Sequence, residues 1–400
     1  MADVPYFQDL PDVENRDLHA IPVTEKSSLK QRPELFLRQG ADRFHKYYET
    51  SGSTGTPTPT PRLPADMAWN SVSVATVWAR TLRPGDRVAA LLPSDVAPVC
   101  DLVASVAEYL DCTMLRSYPF TQGICDWDRV ESLFAGYRPQ HVFVAPGVAL
   151  QWTRLLKRHG RLAEISRGVE SLMLLGEVST APLRARLAEA WDARVLDVSY
   201  GSTETGTIAA SCEHDRLHLL AQSHLAEVRG DDGLVPAEPG RTGELVVTTL
   251  NNFARPLLRY GTGDLVSVSA GDSCPCGLRL PVLTVHGRES ESVPVGGVPL
   301  TASAVESVVH SVPGVTGYLI QLKAVEQGPD GAAGATARLV LERDVDYAAD
   351  PEDLHEAVRV RFAERGVTWA QITSVAQLPA LNKSGGSQKN WKRTNVQWVR

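Results

Sequence analysis

Arg87-Val-Ala-Ala-Leu-Leu92 is entered through the turn Pro84-Gly-Asp86, and every residue after its arginine is apolar. Its shortness and lack of apolar–polar alternation predict a strand covered on both faces, as in a parallel sheet. Similar runs recur at Thr113-Met-Leu115, Val142-Phe-Val-Ala145, Leu172-Met-Leu-Leu175 and Val195-Leu-Asp-Val198. Helical stretches separate them, over about 96–110, 127–134, 149–159 and 182–190, and another precedes them at 66–81. This alternation predicts an α/β domain, a parallel sheet with helices on both faces. Ligands of such sheets sit at the carboxyl ends of the strands.

On the C-terminal side the pattern changes. From about Leu217 it reads as antiparallel β: His224 to Val228, Gly243 to Thr249, then Leu257 to Tyr260. Val285-His-Gly-Arg-Glu-Ser-Glu291 marks a boundary. Beyond it come a helix at 305–309, a strand at 317–322, a hairpin tip at Gln327-Gly-Pro-Asp-Gly331 and a returning strand at 337–342. A helix capped by Asp350, with Pro351 in its first turn, runs to Glu364, and a strand at 372–378 follows. The expected organisation is a large N-terminal domain, 1–287, with a β subdomain, and a small α+β domain, 288–400. On the N-terminal side, residues 1–47 read as a lead-in with short helices, one of them capped at Thr24.

Bulk composition narrows the function. Apolar content of 43% and charged content of 22% are those of an ordinary globular protein. A net charge of −7 gives no electrostatic reason to bind nucleic acid or an anionic membrane. No apolar run approaches a membrane span, and Met1-Ala-Asp-Val-Pro5 lacks a signal pattern, so a cytoplasmic protein is expected.

Three loops carry the chemistry. Between Tyr48 and Pro57 lies Thr50-Ser51-Gly52-Ser53-Thr54-Gly55, whose glycines let successive N–H groups converge on one anion while hydroxyls add donors. The same composition also describes a flexible linker. After the strand at 195–198 comes Ser199-Tyr-Gly-Ser-Thr-Glu-Thr-Gly206, with an aromatic ring, small donors and one carboxylate, Glu204. Beside a phosphate cradle, that carboxylate is tolerable if Mg²⁺ lies between them; otherwise Glu204 is a solvated loop acid. Arg259-Tyr-Gly-Thr-Gly-Asp264 places an Asp on a Gly-bounded turn, able to accept both hydroxyls of a ribose or to serve as an ordinary turn residue.

Cysteine adds a fourth feature. Cys100, Cys112 and Cys125 are scattered, whereas Cys274-Pro-Cys276-Gly pairs with Cys212-Glu-His214-Asp-Arg-Leu-His218 some sixty residues earlier. Such clusters suggest tetrahedral zinc more than a disulfide, and reduced thiols on a turn are the alternative. Expected ligands are Cys212, His218, Cys274 and Cys276, with His214 as substitute for His218. Four protein ligands make the site structural.

Taken in order, Ser51–Thr58, Gly176-Glu177, Tyr200-Gly-Ser-Thr-Glu204, Arg259–Asp264, Gly287-Arg288 and the Lys-rich tail resemble the adenylate-forming superfamily of acyl-CoA synthetases, adenylation domains and luciferases. The nearest likeness is to phenylacetate–CoA ligases, some of which carry a structural zinc in this region. The resemblance implies attack of a carboxylate on the α-phosphorus of ATP, release of pyrophosphate, and transfer of the acyl group to a thiol of coenzyme A or a carrier protein. It places Ser51, Gly52, Ser53, Thr54 and Gly55 on the departing phosphates, Glu177 and Tyr200 around the adenine, and Gly176 in the ATP site. Gly201, Ser202 and Thr203 join the ATP site, Glu204 takes Mg²⁺, Asp264 holds the ribose, and Arg288 sits at the hinge. Lys389 is the mobile catalytic lysine, with Lys383 and Lys392 as competitors.

Tyr118, Phe143, Ala145, Gly147 and Gly176 are the expected acyl pocket, for an aromatic or amino-aromatic acid by family. A homodimer is allowed. Thr56, where relatives often carry Lys, and Ser290, where they put an acid or Lys, depart from the pattern. They suggest a nucleotide-binding homologue without catalysis; within the same fold, activation of another oxyanion such as nitrite for nitrogen–nitrogen bond formation on an aryl amine is an alternative, and a protein-binding scaffold is the fallback.

Overall fold

The computed structural model describes residues 3–8, 20–40, 44–50, 57–231, 233–288, 292–325, 334–379 and 395–399. The cradle Ser51–Gly55 with Thr56, the hinge residue Ser290, the hairpin tip at 327–331, and Lys383, Lys389 and Lys392 lie outside the described residues.

The parallel sheet forms as its apolar runs predict. Its strands lie in the order Thr113–Arg116, Arg87–Leu91, His141–Val144, Ser171–Leu174, Arg194–Asp197, and all neighbours are parallel. Side chains alternate across it because the strand period is two. Phe143, Met173 and Leu196 face the helices Pro64–Trp78 and Pro98–Tyr109, meeting Val74, Trp78 and Val103. Val142, Val144, Leu172 and Leu174 face the other way, onto Phe134, Trp152, Leu187 and Trp191 of the helices Trp127–Tyr137, Pro146–Arg158 and Ala181–Trp191.

The antiparallel region begins earlier than expected. Ser199–Ser202 is an edge strand that turns back through 203–205 into Gly206–Ser211, so this stretch is a hairpin and not a loop. Gly206 makes the turn at φ +76°, and a Cβ at Gly201 would lie 2.2 Å from the Gly206 carbonyl oxygen. Among the described residues this sheet has eight strands, with Thr242–Thr249, Tyr260–Ser269 and Val282–Gly287 at its centre. The expected strand at 257–260 therefore begins only at Tyr260, and Asp264 lies within it instead of on a turn between strands. A register shift between Leu265 and Val266 marks the irregularity that the glycines announce.

Thr24 does not cap a helix either. It pairs with Tyr260 as an isolated bridge, and the helix Lys26–Gln31 starts after Glu25. Two residue ranges flank the cradle as a hairpin, Lys46–Glu49 against Pro59–Arg62.

A separate apolar cluster gathers Val305, Val309, Ile320, Leu339, Leu341, Leu354 and Phe362. Here the helices Ala302–Ser311 and Pro351–Ala363 accompany a sheet ordered Gln371–Val375, Gly334–Arg343, Val315–Val325, Val396–Val399. The strand Val396–Val399 and the hairpin Val293–Val295/Val298–Leu300 were not expected. The second had a signal, since Gly296 and Gly297, both at positive φ, make the two-residue turn that hairpins favour.

This unit docks on the parallel-sheet helices through charge. Lys157 Nζ lies 2.7 Å from Asp344 and 3.0 Å from Asp346, Arg154 pairs with buried Glu342, and Arg186 donates to the carbonyls of His310 and Val312. Arg154→Gln combined with Lys157→Gln is expected to loosen this contact, because removing one partner of a buried pair costs about 3–5 kcal/mol. Small-angle scattering checks it: the radius of gyration should rise, and a scattering curve identical to wild type would refute the latch. Among the described residues no helix is long and apolar enough to cross a membrane.

Candidate functional site

Where the antiparallel sheet meets the chain leaving the parallel one, three expected residues converge. Tyr200, on the edge strand, donates its hydroxyl to Asp264 Oδ2 at 2.9 Å. Arg288 Nε donates to Asp264 Oδ1 at 2.8 Å. Burial, followed by the neighbouring Asp264, pushes the Tyr200 phenol well above its ordinary range, so it stays a donor at neutral pH. Both Asp264 oxygens are engaged, and a ribose diol would therefore share or displace these partners.

Glu204 sits at the adjoining turn, 4% exposed. Burial is the largest influence on its carboxyl and acts upward. Lys26, its own backbone N–H, Arg255 and Ser202 together outweigh burial and hold the carboxyl below the usual range. A buried carboxylate kept ionised beside cations is a group a divalent cation can use.

The turn itself is suspended from beneath. Arg62 Nη2 donates to the carbonyls of Thr203 at 2.7 Å and Glu204 at 3.1 Å. Asn252 Nδ2 donates to the Glu204 and Thr205 carbonyls, and His224 Nε2 lies 3.1 Å from the Thr205 carbonyl. That carbonyl can only accept, so His224 carries its proton on Nε2, and burial pulls its pKa down to about 4, keeping the ring neutral. Arg255, fully buried, donates to Pro59 O and to Thr60 Oγ1 at 2.8 Å, bracing the strand that leaves the cradle.

None of Lys26, Arg62, Asn252 or Arg255 was found from the sequence. A lone Lys or Arg reads as surface charge and a lone Asn as a loop residue, and only the tertiary structure places these four around one turn. Lys26 opens the helix that the Thr24–Tyr260 bridge fastens to the Asp264 strand, and burial draws its ammonium below its ordinary range.

The remaining expected residues are placed as follows. Gly176 turns the chain out of the strand Ser171–Leu174 at φ +89°, and Glu177 follows, half-buried. Phe143 is fully buried against Trp78, ring centroids 4.9 Å apart, whereas Ala145 is buried in the cluster on the sheet's other face, with Val144 and Trp152. Gly147 lies in the first turn of the helix Pro146–Arg158, and Tyr118 stacks edge-on against Phe120.

Near the Gly176 turn, Glu306 reaches over from the helix Ala302–Ser311 and accepts from Thr180 N–H at 3.0 Å. Burial raises Glu306 to about 7 and Asp197 likewise to about 7. Each holds a proton when folded that it releases when unfolded above roughly pH 4. Their stabilising contribution is therefore full below the unfolded values and is lost as pH rises toward 7. Glu306→Gln, which cannot titrate, is expected to flatten the fall of Tm between pH 5 and 7.5. Thermal melts across that range check this, and an unaltered slope would count against it.

The second centre is the cysteine cluster. Cys212 Sγ lies 3.6 Å from Cys274 Sγ and Cys276 Sγ lies 3.3 Å from His218 Nε2, with all four ligand atoms within 4.8 Å of one another. Tetrahedral zinc with Zn–S near 2.3 Å sets sulfurs about 3.8 Å apart, so the donor set fits. His218 Nδ1 donates to Leu280 O at 3.0 Å, which turns Nε2 toward the sulfurs, and Leu278 N–H donates to Cys276 Sγ. His214 stands outside the group, its side chain 44% exposed. His218 therefore needs no substitute.

A family model described as AMP-binding enzyme matches residues 47–255, just over half of the chain. The chain belongs to this family, and with it to the ATP-dependent, AMP-forming ligases. It is similar to the phenylacetate-coenzyme A ligase of Thermus thermophilus, 27% identical over 306 residues, covering 75% of this chain and 67% of that one. To the phenylacetate-coenzyme A ligase of Pseudomonas putida it is 24% identical over 305 residues, covering 74% and 66%. The chain thus spans about two thirds of the length of these relatives. A 2-hydroxyisobutyryl-CoA ligase solved in the postadenylation state with 2-HIB-AMP shares the fold, with a TM-score of 0.77 at 19% identity over 95% of this chain and 80% of that one.

Proposed function

We propose that this protein joins a small carboxylic acid to AMP at the expense of ATP, releases pyrophosphate, and passes the acyl group to the thiol of coenzyme A. The observation that carries the reading is the meeting of Asp264, Tyr200 and Arg288 beside the buried carboxylate Glu204. In this reading Asp264 takes the ribose, Tyr200 and Glu177 flank the adenine, and Arg288 lies between ribose and phosphate. Mg²⁺ held by Glu204 would supply charge neutralisation at the phosphates.

The chain's own part is positioning. Arg62, Asn252 and His224 fix the carbonyls of 203–205, so the Glu204 side chain is presented in one geometry without reorganisation. Ser51–Gly55 and Lys389 are assigned the departing phosphates and the reacting centre. An aromatic or amino-aromatic acid is the proposed substrate class, after the phenylacetate ligases to which the sequence is similar. Zinc is the proposed occupant of Cys212, His218, Cys274 and Cys276, and the proposed domains meet at 287/288, the second swinging between half-reactions.

A pyrophosphate-release screen of aryl and aliphatic acids, with and without coenzyme A and with nitrite as a separate arm, tests the reading. Release that depends on an aryl acid, with coenzyme A sustaining turnover, is the expected result. Release driven by nitrite, or none from any acid while ATP still raises Tm, would overturn it.

A further inference from the structure

We propose that Asp215 and Arg184 form a positioning pair that ties the loop of the cysteine cluster to the wall of the adenylate site, so that order at the cluster sets the geometry of residues 176–180. The inference rests on the function proposed above for its placement of Gly176 and Glu177 beside the nucleotide.

Asp215 closes a tight turn that begins at Cys212, itself one of the four clustered residues. Asp215 N–H donates to Cys212 O, and Cys212 N–H donates to Arg216 O, each at 3.1 Å. The turn holds Asp215 at φ +55°, a conformation that costs a non-glycine residue energy and that Asp tolerates better than most. That backbone aims its carboxylate away from the cluster, at the end of the parallel sheet. Oδ1 accepts Asp197 N–H at 2.8 Å, and Oδ2 pairs with Arg184 Nε at 2.8 Å. Arg184 Nη1 then reaches back to Ser179, donating to its carbonyl and to its Oγ at 3.2 Å.

Ser179 is buried at the end of the Gly176 turn, and the next N–H, of Thr180, is the one that Glu306 holds from the C-terminal unit. One continuous set of hydrogen bonds therefore runs from Cys212 through Asp215 and Arg184 to the loop 176–180, and on to the docked unit. An ordinary surface ion pair contributes little. This one differs because both oxygens of Asp215 and two nitrogens of Arg184 are committed to fixed backbone or buried partners. The helix Ala181–Trp191 has no side-chain N-cap of its own, and the loop before it is held by Arg184 at Ser179 and by Glu306 at the Thr180 N–H.

The test uses the full chain with its zinc, as Asp215→Asn, Arg184→Gln and the double variant. Zinc per chain, amide exchange over 176–180, and KM and kcat for ATP and the acid are read for each. Asp215→Asn is chosen because the amide oxygen still accepts Asp197 N–H while Arg184 loses its charge partner. Zinc content should stay at the wild-type value while exchange over 176–180 speeds up about tenfold. KM should rise about 5- to 20-fold with kcat within about threefold. The double variant should be no worse than the worse single one, because the two side chains act as one unit. Arg184→Lys should recover part of the loss.

Chelating the zinc of the wild type should reproduce the faster exchange, and chelation should add nothing in Asp215→Asn. Unchanged exchange in zinc-loaded Asp215→Asn, or additive effects in the double variant, would overturn the proposal. The exchange readout needs no turnover, so it stands even if no acid releases pyrophosphate.

Discussion

Glu204→Gln is expected to reduce pyrophosphate release by about 10²- to 10³-fold while leaving the fold intact, the range seen when a preorganised electrostatic group is removed from an active site. The exchange is nearly isosteric and removes one negative charge from a buried position where Lys26 and Arg255 are already gathered. Without that charge the divalent cation proposed above would lose its protein anchor, and the local balance turns positive. Stability should hold, because the turn hangs on carbonyls of 203–205 that Arg62, Asn252 and His224 grip irrespective of the side chain. Stopped assays of pyrophosphate across a Mg²⁺ titration, paired with thermal melts, make the measurement. A variant within threefold of wild type at every Mg²⁺ concentration would remove Glu204 from the mechanism.

Stability, in contrast, should answer most strongly to the cysteine cluster. Cys274→Ser, or chelation of the wild type, is expected to lower Tm by about 10 °C or more. With zinc bound as proposed, a closed four-ligand site would hold only the folded chain, so removing the ion would take away several kcal/mol of linkage, and for a large domain each kcal/mol is worth about 2–4 °C. The cluster joins the start of the strand Leu217–Leu219 to the chain entering Val282–Gly287, two strands that pair directly. Without the ion, three buried thiols and a buried histidine remain at this seam. Cys112→Ser, far from the cluster in sequence and absent from it, is the control and should melt like wild type. A purified protein without zinc, or a Cys274→Ser variant with an unaltered Tm, would rule the staple out.

The legible parts of this protein are those whose signal is local. Three strands of the parallel sheet were readable because four or five consecutive apolar residues, at 88–92, 142–145 and 172–175, between helix-period segments leave no other arrangement that buries them, and the shorter runs at 113–115 and 195–198 followed from the alternation. The hairpin at 199–211 was not readable. Tyr-Gly-Ser-Thr-Glu-Thr-Gly has the composition of a loop, and it becomes a strand only because Gly206–Ser211 pairs with it and buries Ile208, Ala209 and Ala210. Asp264 was misplaced for a similar reason: its flanking glycines suggested a turn, whereas they relieve an irregular stretch of a paired strand. The cluster shows both sides. Cys and His at those positions announced a candidate metal site, but the choice between two histidines was made by strand geometry, which points His218 inward and leaves His214 on an exposed turn.

From the sequence alone came the alternating architecture, the family, and the residue types able to bind a nucleotide and a metal, because periodicity and short motifs are encoded within a few positions. Tertiary structure alone decided that Lys26, Arg62, Asn252 and Arg255 surround one buried turn, and that Asp215 reaches Arg184. A charged side chain is buried only where distant parts of the chain present the acceptors that compensate its lost hydration, and no local pattern records where those acceptors will be.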